Sequence, residues 1–353
     1  VTESTNIEWA DSTFNYWEGC TKVGPGCDHC YAENRNARFG GGESPNWGPG
    51  APRRKTSDAN RRKPFNWNRK NFYECADCGW RGDNPETGHP GSILEGIGSC
   101  PSCDSIALSD ARRRVFCSSL SDWLDNEAPI EWLVDLLDTI RQTPNIDWLL
   151  LTKRIGSWSS RLDDAYEYVV DNPGKYEPEE LAGWIVDWRT NIAPKNVWIG
   201  ATVINQAEAD RDIPKLLRVP ARVRFLSIEP MLGPVRLKGH DFSDRGHGQG
   251  WIGKNGNAAG SPVIDWVICG GESGPHARPI YASWVKSLRD QCVTSEVPFL
   301  FKQWGEWLPD DQNPEAIGIK SASDVIRVGK KKAGRSIDGK AWTQFPEQGG
   351  GDS

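Results

Sequence analysis

No apolar run in the 353-residue chain approaches the ~20 residues that a membrane-spanning helix needs. The first residues, VTESTNIEWADSTF, lack the basic start and apolar stretch of a secretory signal. The expected location is the cytoplasm, with no membrane partner. Net positive charge is also missing: 42 Lys+Arg against 48 Asp+Glu leave −6, which argues against a globally basic nucleic-acid coat. There is no internal repeat, so a stacked array is not expected. A fourth cysteine is missing beside the three in residues 19–33, GCTKVGPGCDHCYAE, where Cys20, Cys27 and Cys30 follow a C-x6-C-x2-C spacing. A disulfide uses two thiols and a structural zinc four ligands, whereas three thiols suit a metal or cluster site that keeps one position open. His29 leaves a closed Cys3His zinc site as the alternative.

Hydrophobic residues make up 37% and charged residues 25%, a globular composition on the polar side. From about residue 112 apolar runs alternate with helical patterns. The runs 114–120, 146–152, 196–203, 222–228, 264–270 and 298–304 are nearly continuous, as buried parallel strands require. Residues 130–142, preceded by Pro129, and 283–292, with Trp284, Leu288 and Cys292 at i, i+4, i+8, read as helices between them. Trp132, Trp148, Trp198, Trp266 and Trp284 fall in these patterns and read as core. The expected fold is α/β, a partial or full (β/α) barrel with parallel strands.

Active sites in such folds gather where strands end. That rim would collect Ser118, Ser119, Asp122, Lys153, Thr202, Glu229, Gly270, Gly271, Glu272, Ser273 and Lys302. Burial with an ion-pair partner is the plainer explanation for any one of them.

Residues 34–110 break the rhythm. Cys75-x2-Cys78 and Cys100-x2-Cys103 lie 21 residues apart and read as a zinc ribbon folding a small insertion, with a second iron–sulfur centre as the alternative. Just before it, residues 51–72 hold Arg53, Arg54, Lys55, Arg61, Arg62, Lys63, Arg69 and Lys70 against the single acid Asp58. With Phe65, Trp67, Phe72 and Tyr73 interleaved, this stripe reads as either a nucleic-acid surface or a solvated loop. Residues around 317–345 read as a small β appendage, with turns at Gly329–Lys332 and Asp338-Gly339 and a frayed tail from 346. The segments expected are 1–33 with the Cys loop, the basic 34–74, the ribbon at 75–104, the α/β core at 105–310 and the appendage and tail at 311–353.

Six cysteines fall outside the ribbon. Cys117, Cys269 and Cys292 sit in apolar strand or helix patterns and read as packed core thiols. The N-terminal three are surrounded by Gly19, Gly24, Pro25 and Gly26, which let backbone wrap a small object. Together with VFCSSLSD, LLTKR, NVWIGATVINQ, RFLSIEPMLGPV, DWVICGGESGPHARP and PFLFKQWGEW, this loop resembles the phage-encoded three-Cys-motif proteins. That group is similar to radical S-adenosylmethionine (SAM) enzymes and distantly to spore photoproduct lyase. The resemblance runs from about residue 5 to about 345. It implies a [4Fe–4S] cluster on Cys20, Cys27 and Cys30, with SAM on the open iron and the rim residues above as its contacts. It also implies a reductant protein such as flavodoxin or ferredoxin and a possible partner enzyme; the zinc expected on Cys75, Cys78, Cys100 and Cys103 comes from the CxxC spacing instead. The expected activity is radical modification or repair of a nucleic-acid base or nucleotide. A peptide or small-metabolite substrate, or a non-catalytic zinc-stabilised nucleic-acid binder, is the alternative. The sequence departs from the commonest radical SAM pattern in its six-residue first gap, where three is usual, and in carrying His29 where an aromatic usually precedes the last cysteine.

Overall fold

The computed structural model describes residues 5–85, 98–237, 250–253, 262–312 and 325–346. Seven parallel strands form one sheet whose spatial order follows the chain. They are β1 (Ser12–Phe14), β2 (Arg113–Cys117), β3 (Ile146–Thr152), β4 (Val197–Thr202), β5 (Val223–Ile228), β6 (Trp266–Gly270) and β7 (Phe299–Gln303). The apolar runs account for β2 to β7. Missing from the sequence reading is β1, three residues reading STF that carry no periodicity. Helix α1 (Tyr31–Phe39) follows the Cys loop, α2 (Ile130–Arg141) joins β2 to β3, and α3 (Trp158–Asp171) and α4 (Pro178–Arg189) join β3 to β4. Helix α5 (Gln206–Leu216) joins β4 to β5, and α6 (Ala282–Thr294) joins β6 to β7. No helix among the described residues is long and apolar enough to cross a membrane.

The sheet curls into a half-barrel. Laid flat, β2 and β7 would be about 24 Å apart, five strand spacings. Yet the guanidinium of Arg114 in β2 lies 4.1 Å from the ring centre of Phe345, whose neighbour Gln344 donates its amide to the carbonyl of Phe299 in β7. Outward residues such as Val115, Leu150, Ile199, Leu226 and Val267 pack against the helices. Inward residues form a second core of Trp9, Phe116, Leu149, Trp198, Phe225, Trp266, Ile268 and Leu300. This floor fills the half-barrel below the strand ends. Gly200 makes room for it, since a Cβ there would meet the Phe225 ring at 2.3 Å. Cys117, Cys269 and Cys292 are fully buried, and burial pushes the Cys117 and Cys292 thiols up to about 12. They are packing residues.

The described part of the C-terminal region is β-rich. Strands Trp307–Pro309 and Val325–Arg327 pair, as do Ser336–Ile337 and Lys340–Ala341 around the left-handed Asp338-Gly339 turn. The other expected turn, at 329–332, is instead the start of a one-turn helix, Lys330–Ala333. Residues 342–344 then run antiparallel along β7 and cover that sheet edge. Residues 86–97 of the four-cysteine insertion, 313–324 of the appendage and 347–353 of the tail expected from 346 lie outside the described residues.

Candidate metal centres and the mouth of the half-barrel

Two thiol sites flank the sheet at opposite ends. Cys75, Cys78, Cys100 and Cys103 bring their sulfurs within 4.8 Å of one another, a set able to chelate one metal ion. Each CxxC is a tight knuckle: Gly79 donates its amide to the Cys75 carbonyl at 2.9 Å, and Asp104 does the same for Cys100. Backbone amides of Cys78 and Asp77 pull the Cys75 thiol down to about 7, whereas burial raises Cys100 and the neighbouring thiols raise Cys103. A three-stranded antiparallel sheet carries the unit, with Tyr73–Cys75 between Arg81–Gly82 and Leu108–Asp110. Arg81 fastens it to Asp11, ahead of β1, at 3.0 Å. Arg113, at the start of β2, stacks on Phe72 and Trp67.

The three-cysteine loop lies at the other end, about 13 Å along β2, over the strand tails. Its entry is fixed by Gly19, which bridges Ser121 beyond β2 and has φ +112. Any Cβ there would strike the Asn46 carbonyl at 2.5 Å. Arg154, beyond β3, donates to the Thr21 carbonyl at 2.8 Å and to Cys20 Sγ at 3.5 Å. Burial and the nearby Asp122 charge push the Cys20 thiol up to about 12 in spite of Arg154. Cys27 ends a single 3-10 turn, and Cys30 stands at the N-terminus of α1, where the helix dipole is positive.

The far side of the loop is held by Arg278. Its guanidinium donates to the Pro25 carbonyl at 2.8 Å and to Asp28 at 3.0 Å, and it also binds Glu272. His29 Nδ1 lies 3.1 Å from the same Glu272 carboxylate. Glu272 is buried, which opposes ionisation, but the Arg278 and His29 hydrogen bonds outweigh this and hold its carboxyl below the ordinary range. In this structure Glu272 anchors the loop through Arg278 and His29. Among the described residues the three thiols form no single-ion set, with or without His29. The Glu272 contact engages Nδ1 of His29 alone, the nitrogen that a metal-binding histidine commonly gives to a carboxylate.

Other rim residues divide in the same way. Asp122 accepts from Thr152 Oγ1 at 2.7 Å, Leu124 N and Lys153 N, so it braces the β3 tail. Ser119 Oγ accepts from Asn15 at 2.9 Å, and Ser118 is buried against Cys117. Gly270, Gly271 and Ser273 form the turn that carries Glu272, with Gly271 packed on the Trp304 carbonyl. Lys302 Nζ donates to Glu229 at 2.8 Å, a half-buried ion pair in the mouth. Lys153 and Thr202 line a cleft with Gly24, Gly26 and Cys27. The Thr202 hydroxyl there is buried and without a partner.

The basic stripe is split. Arg53 is buried on Asp125 at 2.7 Å, Trp67 is buried beneath Arg113, and Lys55 pairs with Asp135 at 3.1 Å. Arg61 pairs with Asp58 over the Tyr16 ring, and Lys63 is half-buried. Arg54, Arg62, Arg69 and Lys70 remain exposed, Arg54 paired with Glu18 and Lys70 with Asp83. The segment runs from the mouth to the four-cysteine unit: Asn60 donates to the Asn15 carbonyl after β1, and Asn68 accepts from Asn145 before β3.

Sequence reasoning places Arg154 on the rim beside Lys153 but gives it no role of its own, and does not single out Arg278 or Asn15. Arg154 and Arg278 lie in stretches it quoted, LLTKR and GGESGPHARP, but nothing local says which loop they reach.

Neither a curated protein nor a solved structure matches the chain. A family model described as "Protein of unknown function (DUF5131)" matches residues 4–346, and the chain belongs to that family.

Proposed function

We propose that the chain is a radical SAM-type iron–sulfur enzyme, with a structural zinc at Cys75, Cys78, Cys100 and Cys103. One observation carries this reading: the Cys20/Cys27/Cys30 loop is pinned by Arg154 and Arg278 over the mouth of a curled parallel sheet. Three thiols on one loop fit a cluster that keeps one iron open. With SAM bound, such a cluster supplies a carbon radical that takes hydrogen from a substrate. The chain's own residues do the rest. The aromatic floor excludes water from below. Lys153, Thr202, Glu229 and Lys302 offer cationic, hydroxyl and carboxylate contacts for SAM and substrate at the mouth. A nucleic-acid base or nucleotide is the proposed substrate, because exposed Arg54, Arg62, Arg69 and Lys70 lie on a segment running from the mouth to the four-cysteine unit.

A second reading is a zinc-stabilised nucleic-acid binder without catalysis. The metal sites support this reading more directly, since the sulfurs of Cys75, Cys78, Cys100 and Cys103 gather as a single-ion set and those of the three-thiol loop do not. Anaerobic purification with iron, sulfide and zinc counts separates the two. About four irons and one zinc per chain, with SAM cleaved on reduction and Cys27→Ala inactive, are expected of the enzyme. Zinc alone after anaerobic reconstitution leaves the binder.

A further inference from the structure

We infer that Arg154 sets the electron affinity of the three-thiol centre, an inference that rests on the iron–sulfur reading above. Its side chain is 7% exposed and is held from three sides: by the Thr21 carbonyl at 2.8 Å, Asp122 at 3.8 Å and Asp125 at 3.6 Å. So placed, it directs Nη1 at Cys20 Sγ, 3.5 Å away. Among the described residues no other charged donor reaches one of the three sulfurs. The burial that disfavours a lone negative charge at Cys20 also strengthens the pull of this cation.

Reduction adds one electron from a low-potential donor and leaves the centre one charge more negative, with no bond made or broken in the protein. A buried guanidinium at a ligating sulfur stabilises that extra charge, since hydrogen bonds to cluster sulfurs and net charge set the potential. Asp122 and Asp125 act with the opposite sign. The three residues thus form a tuning set in which the arginine makes the centre easier to reduce and the carboxylates make it harder. Arg154 is a positioning residue: it touches a ligand, not the substrate.

The test is anaerobic redox titration of the reconstituted chain, read by visible bleaching and by the spin-resonance signal of the reduced centre. At one fixed donor potential Arg154→Met is expected to lower the reduced-to-oxidised ratio about tenfold, the worth of one charge-assisted hydrogen bond. Arg154→Lys recovers part of the loss. Asp125→Asn shifts the ratio upward. Purely structural damage would move Arg154→Met and Asp125→Asn the same way, so opposite signs support the inference and like signs overturn it. If Arg154→Met does not hold iron, Arg154→Lys and Asp125→Asn carry the same comparison. An unchanged ratio in iron-loaded variants overturns the role of Arg154 alone. A wild-type chain that takes up no iron overturns the underlying reading and this inference with it.

Discussion

Arg278 and Glu272 are joined by three hydrogen bonds, from the arginine backbone amide at 2.8 Å, Nε at 2.9 Å and Nη2 at 2.6 Å. The pair matters because the same guanidinium continues to Pro25 and Asp28, on the loop that carries Cys27. Arg154 holds the other end at Thr21. The thiol loop thus owes its position to two arginines from separate strand tails. Arg278→Ala leaves the buried Glu272 carboxylate short of its partners, at a cost of about 1–3 kcal/mol. The expected outcome is faster hydrogen exchange at the Cys27 and Asp28 amides, which otherwise bond Gly24 and Pro25. Core strand amides stay protected. Unchanged exchange at those two amides would show that the loop holds itself.

The two thiol sites should fail independently, because β2 separates them. Cys100→Ser removes a buried ligand of the four-cysteine set and is expected to abolish its single metal and expose the insertion to protease. Metal uptake at the three-thiol loop continues. Cys27→Ala gives the converse. Metal counts on the two variants decide it, and loss of both metals from either variant would contradict the separation.

How far the chain could be read without coordinates followed the range of the contacts involved. Six strands were legible because a strand buried on both faces must be apolar throughout, and the CxxC pairs because ligand spacing is local. β1 was not legible, since three residues at an edge carry too little pattern. The rim was legible as a set but not by role. Glu272 reads as a rim residue facing a ligand, and its anchoring of the loop shows only when Arg278 and His29 are seen around it. Arg53 reads as part of a basic stripe until Asp125 is found, 72 residues on. Nor could spacing show that residues 342–344 would cover β7, or that Trp9 and Phe345, near opposite ends of the chain, both pack on Trp266.

Acid should loosen the C-terminal appendage before the sheet. Asp338 loses solvent on folding, but Lys286, Gln312 and Arg289 more than compensate and hold its carboxyl down at about 2. A folded value below the unfolded one, ~3.9, means stability that is fully present above the unfolded value. It is lost as pH falls through the folded one. Limited proteolysis is expected to reach residues 336–341 as pH drops from about 4 to about 2, with Asp338→Asn showing the same exposure at neutral pH. Equal protection of that variant at neutral pH would mean that the turn is held by other contacts.

Gly200 and Phe225 offer a direct check on the curled floor. Their strands are neighbours, and Gly200 pairs with Phe225 across β4 and β5. The phenyl ring occupies the space a Cβ at 200 would need, within 2.3 Å. Gly200→Ala is expected to cost about 1–3 kcal/mol through overpacking, measured by urea unfolding. Phe225→Ala costs about 3–5 kcal/mol because the ring is fully buried among Trp9 and Trp266. The two losses should not add. With the ring gone the new methyl fills part of the cavity, so Gly200→Ala becomes nearly neutral or mildly stabilising in the Phe225→Ala background. Strict additivity would mean that the ring does not lie over Gly200 and that the inner face packs differently.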